Sequence, residues 1–305
     1  MLLSRDELKA RIAELCKEKN AIIMAHNYEL GEIQDIAHFC GDSLELSMKA
    51  ANVDADVIVF CGVHFMAETA YMLSPDKTVL LPNEKAGCAM ADMADAGALR
   101  ELKAQYDNPF VACYVNSTAA VKAECDVCVT SANAVKIMQQ APKDREIIFV
   151  PDMNLGRYIE EQIGRKMILW EGFCPIHHRI TPDMVEKRRA EFPEAEVIVH
   201  PEAPLEIIHM ADEVLSTGGM LRHLNATDKK QFIIATEGGI IYRMQKEHPE
   251  KQFIPLSEQL VCPDMKMIRL EDVVKSLETM TTKIVVDESI RINGVKPIKR
   301  MLDLS

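Results

Sequence analysis

The 305-residue sequence predicts an α/β protein made of three related parallel α/β domains. Short β-branched runs such as DVIVF (56–60) and EIIFV (146–150) are apolar throughout, without the alternation of a half-exposed strand. They read as strands covered on both faces. Helical patterns such as SRDELKARIAELCKEKN, SANAVKIMQQ and TPDMVEKRRAEF lie between the runs with short connections, as in parallel α/β units. A set of landmarks also recurs three times in phase.

In chain order the strands expected are AIIMA, DVIVF, TVLL, FVACYV, VCVT, EIIFV, KMILW, EVIVH, EVLST, FIIAT and FIPL. The first strand of each third is followed by a polar triplet: HNY (26–28), YVN (114–116) and HPE (200–202). Seventeen residues beyond the start of each stand Ser43, Ser131 and Thr217, and thirty-seven beyond stand Val63, Pro151 and Glu237. Sixty to sixty-two beyond stand Cys88, Cys174 and Cys262. A period near 87 residues exceeds the usual solenoid unit, so each repeat is a whole domain. The expected domains are 1–88, 89–174 and 175–262, each three-layer and Rossmann-like, related by a pseudo-threefold axis around one central cavity. After Cys262 the pattern restarts with a helix, LEDVVKSLETM, and a strand, KIVVD. Residues 263–305 are therefore expected to pack back on the first domain.

The composition is that of a soluble globular chain, 48% hydrophobic and 27% charged. A formal net charge of −12 argues against a nucleic acid or an anionic membrane as partner. It leaves room for small anions, which helix N-termini bind without Lys or Arg. The N-terminal stretch MLLSRDELKARIAEL is charged and amphipathic and does not read as a signal peptide, and no apolar run approaches the length of a membrane span. Nine cysteines in such a chain point to a reducing, cytoplasmic setting where thiols serve as ligands or core residues.

Binding sites of open α/β sheets form at the C-terminal ends of the strands, so three domains can aim those ends at one cavity. Each would deliver one cysteine there, and Cys88, Cys174 and Cys262 read as a shared metal-ligand set, not as packed thiols. The cluster EGFCPIHH (171–178) is then one third of a site and not a self-contained motif. Zinc would call for a fourth N or S ligand or an open position, whereas an all-thiolate set suits iron–sulfur chemistry. A [4Fe–4S] cluster on three cysteines leaves one iron free to act as a Lewis acid. Cys125 and Cys128 form CDVC without a second CxxC and read as core or surface thiols. Cys16, Cys40, Cys61 and Cys113 read as small core residues.

GDSLELSMK, TSANAVKIM and STGGMLRHL each read strand, Ser/Thr/Asp, helix. These Ser, Thr and Asp side chains are expected as N-caps, and three such N-termini facing one cavity would also bind phosphate or carboxylates. The loops AHNY, YVNST, HPE and TEGG add His26, Asn27, Tyr28, Tyr114, Asn116, His200, Glu202 and Glu237, an acid/base array. His177 is expected in the same cavity and His178 outside it, with His38, His64, His209, His223 and His248 structural or exposed.

AHNY, GDS, FMAET, YVNST, TSANA, PDMNLG, CPIHH, VHPEAP and STGGM, in this order and at these intervals, resemble the signature segments of the quinolinate synthase family. The resemblance runs from about residue 20 to 270. It implies the triplicated α/β architecture and a [4Fe–4S] cluster on Cys88, Cys174 and Cys262. The implied reaction condenses iminoaspartate with dihydroxyacetone phosphate to quinolinate, phosphate and water. Tyr28 and Glu202, with His26 and His200, are the implied acid/base residues. Tyr114 and Asn116 would hold substrate, Ser43, Ser131, Ser216 and Thr217 would bind phosphate and carboxylates, and His177 would line the cavity. An aspartate oxidase or dehydrogenase would supply iminoaspartate. Departures from the family pattern are AGCAMAD, where Pro often follows the Cys, Glu29 where Gln is frequent, and the lack of the C-terminal cysteine motif of some relatives. Two other readings share the three-cysteine logic: a diphthamide-biosynthesis-type radical enzyme using S-adenosylmethionine at the open iron, and a non-catalytic iron–sulfur sensor or scaffold.

Overall fold

The computed structural model describes residues 3–305 and carries three four-stranded, all-parallel sheets. Met1 and Leu2, the start of the amphipathic N-terminal stretch, lie outside the described residues. The first sheet contains β1 (Ala21–His26), β2 (Phe39–Gly41), β3 (Val57–Cys61) and β4 (Thr78–Leu80). The second contains β5 (Phe110–Tyr114), β6 (Val127–Val129), β7 (Ile147–Val150) and β8 (Ile168–Leu169). The third contains β9 (Glu196–Val199), β10 (Glu213–Val214), β11 (Gln231–Ala235) and β12 (Gln252–Pro255). The order is second, first, third, fourth strand in every sheet: β2-β1-β3-β4, β6-β5-β7-β8 and β10-β9-β11-β12. The sequence period is thus a repeat of topology as well as of landmarks.

The strands form where apolar runs permit burial on both faces. Every residue of β3, β5, β6 and β7 is buried, and Phe60, Phe149 and Phe232 fill the interior of one sheet each. Each such side chain contributes about 1.5–3 kcal/mol relative to exposure. Helix ends carry local signals. Ser4 and Glu7 form a reciprocal capping box, Asp42 and Asp152 cap their helices through side-chain oxygens, and Gly164 closes helix Met153–Ile163 at φ +64°, a conformation that favours glycine. Among the described residues no helix is long and apolar enough to cross a membrane.

The C-terminal segment differs from the expected restart of the pattern. Helix Leu270–Thr279 packs on the N-terminal helix Arg5–Glu18, where Arg11 Nε donates to Glu278 Oε1 at 3.1 Å. KIVVD does not begin another parallel unit. It runs antiparallel beside β4 through a single bridge, Leu80 to Lys283, with Ile284 and Val286 buried and Val285 78% exposed. A segment entering antiparallel cannot start a right-handed parallel crossover. The last helix, Glu288–Leu304, packs on helices His64–Leu73 and Ala119–Lys122 and on β6, so it also reaches the second sheet. Gly294 permits this approach, because a Cβ there would lie 2.9 Å from Met72 Sδ and 3.2 Å from the Ala119 oxygen.

Ile298 is fully buried on that last helix. Ile298→Ala is expected to lower the unfolding free energy by roughly 2–5 kcal/mol, read by urea denaturation. A loss under about 0.5 kcal/mol would show that the helix is peripheral to the fold.

Candidate active site and metal centre

The C-terminal ends of the leading strands converge on a cavity of about 230 Å³. Its wall includes His26, Tyr28, Ser43, Tyr114, Asn116, Ser131, His177, His200, Glu202 and Thr217, together with all three periodic cysteines. The first and third repeats build their histidines alike. His26 Nδ1 accepts from the Tyr28 N–H at 3.2 Å, and His200 Nδ1 accepts from the Glu202 N–H at 3.4 Å. Each Nε2 therefore carries the proton when the ring is neutral, and that of His200 reaches Ser131 Oγ at 3.2 Å. Burial, with further repulsion from His200 and Lys266, pushes His26 down to about 3. Burial likewise pushes His200 to about 4, so both rings are neutral at physiological pH and act as N–H donors.

Glu202 organises the centre. Its Oε1 accepts from Tyr114 Oη at 2.6 Å and from Asn116 Nδ2 at 3.4 Å, and its Oε2 lies 2.8 Å from His177 Nδ1. Burial alone would raise this carboxyl, but His200, His177 and the hydrogen bonds from His177 and Tyr114 hold it well below its ordinary range. An ionised carboxylate only accepts, so His177 donates from Nδ1, and in the neutral ring Nε2 is then the acceptor. Thr236 Oγ1 stands 2.7 Å from that Nε2 and 2.5 Å from Tyr28 Oη. The directions follow: Tyr28 donates to Thr236, Thr236 to His177, and His177 to Glu202. Tyr28 and Tyr114 are both raised by burial and by the Glu202 charge, so both stay protonated.

The three cysteines follow β4, β8 and β12, one from each sheet, and each opens a short helical turn whose N–H groups point at its own sulfur. The donors are Ala91 and Met90 to Cys88, His177 to Cys174, and Met265 and Asp264 to Cys262. Burial pushes Cys88 up to about 12, Cys262 to about 11 and Cys174 higher than an ordinary thiol, while these N–H groups oppose it. Backbone N–H donors, two each for Cys88 and Cys262 and one for Cys174, suit bound thiolates. Among the described residues the three sulfurs do not draw within 4.8 Å of one another, the reach of a single ion, although they ring one cavity. That spread fits a polynuclear cluster better than one metal ion. Cys174, His177 and Glu202 do converge within 4.8 Å, but His177 already bonds Glu202.

A family model described as quinolinate synthetase A protein matches residues 10–303. A Dehalococcoides mccartyi protein named quinolinate synthase is 54% identical over 298 residues, covering 98% of each chain. A Geobacter protein of the same name is 50% identical over 300 residues, again 98% of each, and one from Desulforudis audaxviator 49% over 299 residues. The chain belongs to the quinolinate synthase family.

Within this enzyme family's framework, several sequence expectations shift in detail. Ser216 does not line the cavity: its Oγ accepts from the Gly219 N–H at 3.0 Å and donates to Asp42 Oδ2 at 3.2 Å, while Thr217 does line it. Ser43 and Ser131 line the wall but do not cap, since Asp42 and Asn133 hold the cap positions. His178 lies outside the cavity, bonded to Asn154 Nδ2 at 3.0 Å and stacked near Phe173. Cys113 and Cys128 are fully buried register partners in the second sheet, and Cys125 packs beside them. Thr236 and Arg179 were not anticipated. Thr236 precedes Glu237 in the TEGG loop, and Arg179 ends CPIHHR and is, among the described residues, the one Lys or Arg on the cavity wall.

Glu29 is fully buried with neither carboxylate oxygen hydrogen-bonded. Burial, opposed by Lys266, pushes it from its ordinary 4.5 up to about 8. It is therefore neutral at pH 7, as a Gln would be. Because the folded state binds this proton more tightly, the stability it contributes is full below about 4.5 and is lost as pH rises towards about 8. Glu29→Gln is expected to melt higher than the parent by roughly 5 °C at pH 8.5 and to lose that advantage at pH 5, as read by thermal denaturation. A melting difference independent of pH would contradict this.

Proposed function

We propose that this chain is a quinolinate synthase that condenses iminoaspartate with dihydroxyacetone phosphate, releasing phosphate and two waters. The observation that carries this reading is the hydrogen-bonded line Tyr28–Thr236–His177–Glu202–Tyr114, set in the same cavity as three cysteines from three sheets. Cys88, Cys174 and Cys262 would hold a [4Fe–4S] cluster, which supplies Lewis acidity for the dehydrations when bound. The reading extends to a cytoplasmic enzyme whose iminoaspartate comes from an aspartate oxidase or dehydrogenase.

The chain's own groups can meet the needs of such a sequence, which are repeated proton transfers and loss of poor leaving groups. Tyr28 can take a proton at its hydroxyl, because its own proton passes through Thr236 to His177 Nε2 and Glu202 stabilises the imidazolium that results; the reverse flow from that imidazolium lets Tyr28 give a proton back. Tyr114 and Asn116 orient substrate around Glu202. Asn116 Oδ1 is buried without a partner, which leaves an acceptor for a substrate N–H or O–H. The neutral Nε2–H groups of His26 and His200 donate to oxygens that gain charge. Ser43, Ser131 and Thr217 offer hydroxyls to phosphate and carboxylates, and Thr217 opens a ten-residue helix whose N–H groups favour an anion. Ser216 supports that helix end as its cap. Arg179, exposed at the cavity, supplies the cation an anionic substrate would meet first.

Anaerobically prepared protein with a full cluster should form quinolinate and phosphate in equal amounts from the two substrates. Full cluster loading without quinolinate would overturn the reading. Tyr28→Phe and Glu202→Gln should each lower kcat by roughly 10²–10⁴-fold while the cluster's visible absorption persists. Silent variants would favour a sensor role. Thr236→Val should lower kcat without raising KM, and Arg179→Ala should raise KM for dihydroxyacetone phosphate more than it lowers kcat.

A further inference from the structure

Lys266 lies outside the cavity lining, four residues after Cys262, and its ammonium is held by two acceptors from different repeats. It donates to Glu237 Oε1 at 2.9 Å and to the backbone oxygen of Tyr28. Glu237 is 1% exposed at its side chain and Lys266 18%, so this is a largely desolvated pair. The same carboxylate has two more donors: Oε1 accepts from the Cys262 N–H at 3.1 Å and Oε2 from the Gly239 N–H at 2.7 Å. Gly239 shows how tightly the groups gather. A Cβ there would lie 2.5 Å from the Tyr28 oxygen, 2.6 Å from Lys266 Nζ and 2.8 Å from Glu237 Oε2. Gln34 Nε2 ties the other side of the loop, donating to the Glu29 oxygen at 2.8 Å and to the Gly239 oxygen at 3.1 Å.

We propose that Lys266 is a positioning residue that, through Glu237, locks the Tyr28 main chain to the main chain of the cluster ligand Cys262. The clamp does two things. It registers the Tyr28 hydroxyl on Thr236, which belongs to another repeat, alongside the Gln34 tie between the same two loops. It also balances the Glu237 carboxylate beside Cys262, so the ligand loop sees a neutral pair. Glu29, the other carboxyl facing Lys266, is protonated at neutral pH and does not change that balance. The inference rests on the reading of the site as a cluster-bearing quinolinate synthase.

The test uses anaerobic holoenzyme and two readouts, steady-state kinetics and the reduction potential of the cluster. Lys266→Met should lower kcat by roughly 10–100-fold with KM nearly unchanged. It should also move the potential to a more negative value, because an unbalanced carboxylate remains. Glu237→Gln should lower kcat as well but move the potential the opposite way. The double variant should return the potential towards the parent value without restoring kcat. A residue needed only for folding would not produce shifts of opposite sign. Parent-like kcat and potential in Lys266→Met, or the same sign of shift in both single variants, would overturn the proposal. If Lys266→Met does not load a cluster, Glu237→Gln alone decides: a positive shift with lower kcat supports the clamp, and an unshifted potential overturns it. A parent enzyme that carries the cluster but makes no quinolinate would instead overturn the functional reading, and the opposing shifts would still be measurable.

Discussion

A buried, ionised carboxylate at the end of β9 is the constraint on which the site depends. Glu202 is 4% exposed, and an unpaired carboxylate at such a position would be prohibitively costly. Its partners come from two separate segments: Tyr114 and Asn116 from the second triplet at the end of β5, and His177 from the turn after β8. Asn154 holds the Glu202 main chain by donating to its backbone oxygen at 3.1 Å. Because the carboxylate can only accept, it sets the tautomer of His177, and that tautomer sets the direction of the bonds through Thr236 to Tyr28. One charge therefore orders a line of groups drawn from all three repeats.

Much of this was legible in the sequence because the period is a property of topology. Identical strand order in three sheets places equivalent loops at equivalent ends, so residues at equal offsets had to meet. Cys88, Cys174 and Cys262 line one cavity for that reason, as do His26, Tyr114 and His200. Thr236, Lys266 and the KIVVD segment were not legible in the same way. Thr236 meets His177 and Tyr28 at separations of 59 and 208 residues and Lys266 ties Glu237 to the Tyr28 main chain 238 residues away, and no local pattern announces contacts of that kind. KIVVD has the composition of a buried strand, but its direction relative to β4 depends on the helix before it. Ser216 was separated from Thr217 by a cap geometry that a single Ser-Thr pair leaves undecided.

The electrostatics of the cavity also resolve an apparent conflict. A chain of net charge −12 is an unpromising host for the proposed substrates, which bear carboxylates and phosphate. The wall answers this locally, with neutral histidines as donors, hydroxyls at helix starts, the N–H groups of helix Thr217–Ala226 and one guanidinium. Such groups stabilise negative charge without a cationic patch that would attract polyanions.

The central claim is that three cysteines spaced by one repeat jointly hold a single cluster beside this relay. Iron and sulfide analysis of the anaerobic parent and of Cys88→Ala, Cys174→Ala and Cys262→Ala tests it most directly. The account predicts about four irons and four sulfides per parent chain and loss of the cluster in each variant, with Cys125→Ala unaffected. A full cluster in any one of the three variants, or its loss in Cys125→Ala alone, would contradict the account.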